Sequence, residues 1–407
     1  MERDILEKLT EHLSEKEFTI IVGARQTGKS TVLSQLAEYC KRRNIPTVSI
    51  NLEDKNMLFE MDKHPLNILN YLSTLSGADK KKKTVVLIDE VQYLKDPSNF
   101  LKLLYDEYHD KIKIVATGSS AFYIDRKFID SLAGRKKIFY LFTCSFGEFL
   151  RMKNMDDLYA EYLHIKQNIK AKTLSITEMR VCFEEYIQFG GYPAVITEKT
   201  EENKIERLRD LRDSFVKRDI LEADIRDEKS FYNTFRVLAS QTGGLVNVNE
   251  ISRTLGIKND TLSRYLYILQ KCFHISLSKP YSNNLRNEIV KMPKVFLLDT
   301  GMKNILLNNF NTIRQRQDSG EIWENMIYRE LCRTYTADNV FFWRTTQGNE
   351  VDFIISPDAG DTFAIEAKFH QRQISESKYK KFMERYPEIS LRYKCYEPFD
   401  EGVFGWF

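Results

Sequence analysis

No CxxC pair occurs anywhere in the 407 residues; the six cysteines (Cys40, Cys144, Cys182, Cys272, Cys332 and Cys395) stand apart from one another. That pattern argues against a disulfide framework and against a zinc site, and it fits reduced thiols in a cytoplasm. The six histidines are equally dispersed and form no metal-like cluster. No apolar run approaches the roughly 18 residues needed to cross a bilayer. The start, MERDILEKL, is charged and amphipathic, so neither membrane insertion nor secretion is expected. Net charge is scarce as well. Lys and Arg number 61 against 58 Asp and Glu, and the net +3 is too small to argue by itself for a polyanionic partner. The KKKK run at 80–83 reads as a solvated loop before a strand.

What is present is the material of ordinary globular domains, 42% hydrophobic and 29% charged, and the length suggests about two to four of them. In FTIIVGARQTGKST an apolar β-rich run enters a loop bracketed by Gly23 and Gly28, followed by Lys29 and Ser30. This completes GxxxxGK[ST]. The glycines let the backbone N–H groups of Ala24, Arg25, Gln26, Thr27 and their neighbours close around phosphate oxygens. Lys29 can reach the β- and γ-phosphates of ATP, Ser30 can ligate Mg²⁺, and Thr31 continues the opening helix.

KKTVVLIDEVQYL is a continuous apolar strand ending in Asp89-Glu90, as a buried parallel strand would. Asp89 is the candidate for the Mg²⁺ shell and Glu90 for polarising the attacking water. A third strand, KIKIVATGSS, ends in Thr117, Ser119 and Ser120. Ser119 is the favoured γ-phosphate sensor, with a helix-capping turn as the other reading. Arg135 lies between a helix and the next strand. In order, GARQTGKS, LIDE and TGSS resemble the core of AAA+ ATPases over residues 1–150. In ring-forming members the position of Arg135 faces the neighbouring subunit, which implies a trans-acting arginine and a homo-oligomer; a surface arginine without a role is the alternative.

From Phe146 to about Arg226 the pattern is helical and charged, read as a lid over 151–226. FGGYPAVI, broken by two glycines and Pro193, resembles the Gly-x-Pro lid motif of the signal-transduction branch of these ATPases, which implies Pro193 near adenine; a simple interhelical turn is the other reading. Residues 231–281 read as three helices, the second ended by Gly256, and a hairpin. The arrangement, within 227–300, resembles a winged helix-turn-helix with 259–272 in the recognition position. Asn259, Thr261, Ser263 and Arg264 supply few cations for gripping phosphates, so DNA binding and internal packing both stand open.

In the last quarter, 301–407, VDFII and FAIEAKF read as neighbouring strands, with VFFWR before them. Alternation puts Glu350 with Asp352, and Glu366 with Lys368. Thirteen residues separate Asp352 from Glu366, enough for a hairpin, and Glu324 can enter from the amphipathic helix SGEIWENMIYREL. Glu324, Asp352, Glu366 and Lys368 resemble the PD-(D/E)xK nuclease constellation, which implies carboxylates caging Mg²⁺ and a lysine positioning the nucleophilic water. A salt-bridged strand pair is the alternative.

The whole order resembles a prokaryotic group of AAA+ superfamily ATPases with a helical lid, a winged helix and a C-terminal PD-(D/E)xK nuclease-like domain. The implied fold is α/β, with a P-loop core and an α/β C-terminal domain, and the implied cofactors are ATP and Mg²⁺. Nuclease-like domains of this group have no generally established activity. Two functions therefore follow: an ATPase whose nuclease-like module cuts or grips DNA, or an ATP switch whose winged helix and inactive nuclease-like domain bind a protein partner.

Overall fold

Five short runs rich in β-branched residues, Phe18–Val22 (β1), Thr47–Asn51 (β2), Thr84–Asp89 (β3), Ile112–Gly118 (β4) and Lys136–Tyr140 (β5), pair in the order β2-β3-β4-β1-β5. Every pairing is parallel. Alternate side chains of one strand therefore feed two different cores. Ile20, Val86, Ile88 and Ile114 lie in one. Ile21, Val85, Leu87 and Val115 lie in the other, with Val32, Leu33 and Leu36 of the helix Lys29–Arg42. Covering both faces is what an all-parallel sheet requires, and it explains why β1 and β4 are buried along their whole length. The loop after β1, the acids ending β3 and the polar end of β4 consequently share the carboxyl edge of the sheet, where α/β folds bind ligands.

The structure, a computed structural model, describes residues 2–75, 83–118, 132–168, 172–282 and 292–404. Ser119, Ser120 and the lysines at 80–82 lie outside the described residues. The chain forms two compact units, Met1–Phe142 with Lys271–Phe273, and Thr143–Gln270 with His274–Phe407. Among the described residues no helix is long and apolar enough to cross a membrane.

The second unit begins with helices at Phe146–Met152, Asp156–Gln167, Ile176–Phe189, Pro193–Ile196 and Glu201–Glu222. Ser145 and Glu148 close the first of these with a reciprocal capping box. Three more follow at Glu228–Ser240, Val248–Leu255 and Asn259–Lys271. Asn247 caps the middle one by accepting the Glu250 amide at 3.2 Å, and Gly256 ends it at φ 67°. An antiparallel pair, Ile275–Ser278 (β6) and Lys294–Leu297 (β7), comes next.

A four-stranded sheet completes the unit: Val340–Arg344 (β8), Glu350–Ile355 (β9), Phe363–His370 (β10) and Ser390–Glu397 (β11), in the order β11-β10-β9-β8. β8, β9 and β10 form an antiparallel meander, and β11 joins β10 in parallel. The long helix Ser319–Tyr335 is seated against this unit's core through Trp323, whose indole N–H donates to the Lys394 carbonyl at 3.0 Å.

Candidate functional site

The loop after β1 is shaped by two glycines with different duties. A Cβ on Gly23 would stand 2.1 Å from the Leu141 carbonyl oxygen, so no other residue fits that close approach. Gly28 sits at φ 93° and opens the helix Lys29–Arg42. Between them Thr27 is fully buried, and its hydroxyl donates to the Ala24 carbonyl at 2.8 Å. Lys29 folds into the loop and donates to the carbonyls of Gly23 at 3.1 Å and Ala24 at 2.9 Å. Burial pushes this ammonium down to about 8, against the raising charges of Glu90 and Asp89, while Arg25 lowers it further. A buried ammonium inside a glycine-bracketed loop suits a polyphosphate, so the fit to ATP holds.

Across from the loop, Asp89 ends β3 and Glu90 takes a left-handed conformation, φ 60°. Thr117 joins the two: its hydroxyl donates to the Asp89 carboxylate and accepts the Glu90 amide at 3.0 Å. The Gln92 amide donates to the Glu90 carboxylate. Ser30 and Asp89 line one cavity of about 410 Å³ together with Ser49 and Asn51, which suits a hydrated Mg²⁺ held by a hydroxyl and a carboxylate.

Arg3 braces the same loop. It is 6% exposed, and its guanidinium donates to the Thr27 carbonyl and, at 2.8 Å, to that of Phe142. Sequence reading passed over both Arg3 and Gln92, since neither belongs to a motif. Arg135 precedes β5 as expected, but its guanidinium is held by Asp106 of the same chain, Nε to Oδ1 at 2.6 Å and Nη2 to Oδ2 at 3.3 Å.

In the second unit Pro193 is the first residue of the short helix Pro193–Ile196. The preceding glycines serve close packing: a Cβ on Gly190 would stand 2.2 Å from the Asp299 carboxylate, and one on Gly191 2.5 Å from the Cys144 carbonyl. In the helix Asn259–Lys271, Arg264 donates to the carbonyls of Ala223 and Asp224. Asn259 is engaged with Ser252 and Asn249.

Glu324, Asp352, Glu366 and Lys368 are brought together. The ladder between β9 and β10 runs to Phe353 opposite Ile365. Beyond it, side chains take over: the Asp352 amide donates to Glu366 at 3.1 Å and the Ala367 amide to Asp352 at 2.9 Å. Lys368 donates to the Glu366 carboxylate, which also accepts the Tyr379 hydroxyl at 2.8 Å. Burial first, then repulsion from Asp352, pushes Glu366 up to about 7, against Lys368 and Tyr379.

The centre of the cluster departs from the expected oxygen cage. The ammonium of Lys294, at the start of β7, lies 2.5 Å from Glu350, 2.9 Å from Glu324 and 3.7 Å from Asp352. Burial would lower this lysine, but Glu324, Asp352 and Glu350 together hold it above its ordinary value. Among the described residues no group of three or more His, Cys, Asp or Glu side chains is disposed to hold a metal ion. A like unit charge brought to within 4 Å of Lys294 would cost about 4 kcal/mol at an effective dielectric of 20, and a divalent ion about twice that. Glu324, Asp352 and Glu366 therefore do not fit Mg²⁺ while Lys294 stands among them.

Comparison with known proteins places these features. Residues 15–150 match a family model described as an AAA domain. Residues 181–312 and 319–397 match two others, each described as a domain of unknown function (DUF8612 and DUF4143). An uncharacterized protein of Haemophilus influenzae is 26% identical over 344 residues, covering 82% of this chain and 78% of its own length. One from Methanocaldococcus jannaschii is 27% identical over 345 residues, covering 83% and 71%. Among solved structures, AMPPCP-bound DnaA from Aquifex aeolicus is 16% identical over 66% of this chain and 86% of its own, with a TM-score of 0.29, a likeness that carries no conclusion here. The AAA-domain match, together with the parallel sheet and its glycine-bracketed loop, supports an ATPase with a P-loop AAA+ core.

Proposed function

We propose that the chain binds and hydrolyses ATP at the loop Gly23–Thr31 and couples that cycle to a nuclease-like module that grips DNA. The observation that carries the reading is the joining of Asp89 and Glu90 through Thr117 opposite the buried ammonium of Lys29. In this reading Lys29 leaves the carbonyls of Gly23 and Ala24 to bind the β- and γ-phosphates, and the loop amides neutralise the rest of the charge. Ser30 and Asp89 would hold Mg²⁺, which would supply positive charge to offset that of the phosphates. Glu90, steadied by Gln92, orients the attacking water and accepts its proton. Arg135 reaches a neighbouring copy once released from Asp106.

The nucleic-acid side of the proposal draws support from the meander of β8, β9 and β10, where Asp352, Glu366 and Lys368 meet Glu324 of the helix Ser319–Tyr335. It draws further support from the three helices followed by the β6–β7 hairpin, in winged-helix order.

Nucleotide binding and turnover, each measured with and without duplex DNA, test the reading. Lys29→Ala is expected to abolish tight ATP binding, and Glu90→Gln to bind ATP without turning it over. Duplex DNA is expected to change the turnover of the parent. Parent-like turnover in both variants would remove the ATP site, and turnover indifferent to DNA would remove the coupling.

A further inference from the structure

We propose that Lys294 takes the place of a divalent cation in the carboxylate cluster of the second unit, so that this nuclease-like sheet carries its own internal counter-ion and is closed to metal-dependent phosphodiester cleavage. The inference rests on reading that sheet as nuclease-like; it is independent of the ATP site.

Several elements converge to build the arrangement. β7 supplies Lys294, the helix Ser319–Tyr335 supplies Glu324, and β9 supplies Glu350 and Asp352. The lysine side chain is 2% exposed, and its ammonium donates to Glu324 at 2.9 Å, lies 2.5 Å from Glu350 and faces Asp352 at 3.7 Å as an ion pair. Room for Glu324 is made by Gly243, where a Cβ would stand 2.9 Å from the carboxylate, and Gly243 is itself tied to β7 by its amide, 2.8 Å from the Val295 carbonyl. A glycine, a glutamate and a lysine from distant parts of the chain thus fit one another.

Several other oxygens of the cluster are also committed. Asp352 Oδ2 accepts the Ala367 amide, and Glu366 accepts the Asp352 amide, the Tyr379 hydroxyl and the Lys368 ammonium. Glu350 is shared with Arg344 at 2.9 Å. Mg²⁺ asks for near-octahedral oxygen at about 2.0–2.1 Å and keeps several waters. Glu324, Glu350 and Asp352 do not provide that shell while their oxygens face the Lys294 ammonium. A lysine in the same place holds the carboxylates together as an ion would, but no chelator removes it. Taking away its amine while leaving the acids should turn the cluster into a true cation site.

Mn²⁺ binding to the nucleotide-free full chain tests this, by calorimetry and by thermal melting with Mn²⁺ or EDTA. In the parent, Mn²⁺ uptake should match that of Asp352→Asn, and neither Mn²⁺ nor EDTA should move the melting temperature. Lys294→Ala should gain a Mn²⁺ site roughly tenfold or more tighter than any in the parent, with a higher melting temperature in Mn²⁺, and the K294A/D352N double variant should lose both. Lys294→Gln serves in its place if K294A does not fold. Folding of K294A only when Mn²⁺ is added would support the proposal equally. Saturable Mn²⁺ binding by the parent that Asp352→Asn abolishes would overturn it. So would a folded K294A or K294Q that gains no site.

Discussion

The hydroxyl of Thr117 bridges Asp89 and Glu90, donating to the first and accepting the amide of the second at 3.0 Å. One side chain on β4 thereby sets the geometry of both acids at the end of β3. Thr117 touches neither phosphate nor water in this role, so it is a positioning residue. Thr117→Val, nearly the same in shape, should lower kcat by about 10- to 100-fold, the usual loss when a supporting hydrogen bond to a catalytic group is removed. The affinity for ATP should change far less, and Thr117→Ser should restore kcat. Equal losses in kcat and affinity for both substitutions would point to a packing defect instead.

Arg3 bears on nucleotide affinity. Its fork joins the Thr27 carbonyl to that of Phe142, so the phosphate loop is tied to the chain beyond β5. Hydrogen bonds from a charged group are worth about 1.5–3 kcal/mol. Arg3→Met should weaken ATP binding by roughly tenfold, read as Kd for a fluorescent nucleotide. Arg3→Lys should recover only part of the loss, because an ammonium cannot span both carbonyls. An unchanged Kd in Arg3→Met would show that the loop holds its shape without the brace.

Arg135 offers a test of assembly. Its ion pair with Asp106 is at the surface, where such pairs contribute little, so release costs little. If Arg135 acts on a neighbour's nucleotide, turnover per chain should rise with protein concentration and fall by about a thousandfold in Arg135→Ala. Asp106→Asn should leave the concentration dependence in place or strengthen it. Turnover independent of concentration in a strict monomer would take Arg135 out of the site.

The phosphate loop was legible because its signal is contiguous: an apolar strand, glycines at fixed spacing and a lysine at the helix start all lie within one short stretch of chain. Asp89 and Glu90 were legible for the same reason, as acids ending a buried strand. Thr117 stood among three hydroxyl residues of which Ser119 was favoured, and Ser119 lies outside the described residues. The alternation of β9 and β10 foretold which acids share a face, yet not what fills the space between them. Lys294 meets Glu324 across 30 residues of sequence, and only the folded chain shows that a lysine opening an apolar strand lies beneath three carboxylates. Gly243 shows the same limit, since its need for no side chain comes from Glu324, far along the chain.

The carboxylate cluster also predicts a pH response. Glu324 is pushed from its ordinary 4.5 up to about 8, first by burial and then by the charges of Asp352 and Glu350, with Lys294 drawing it down. The folded chain therefore keeps a proton between about 4.5 and 8 that the unfolded chain has released. More protons bound in the folded state means that stability falls as pH rises through this window. Lys294, held above its ordinary 10.5, adds stability that is fully present below 10.5 and so contributes no slope between pH 6 and 9. Lys29 and Lys113, lowered to about 8 and about 7, work in the opposite direction in the first unit, so the informative quantity is the difference between parent and variant. Glu324→Gln removes the titrating group while keeping an acceptor for Lys294. Relative to the parent, its melting temperature should rise as pH goes from 6 to 9, by about 2–4 °C for each kcal/mol of linkage removed. Glu366, raised to about 7, leaves a residual slope that Glu366→Gln should flatten in turn. Parallel curves for parent and Glu324→Gln across the whole range would overturn this pH response.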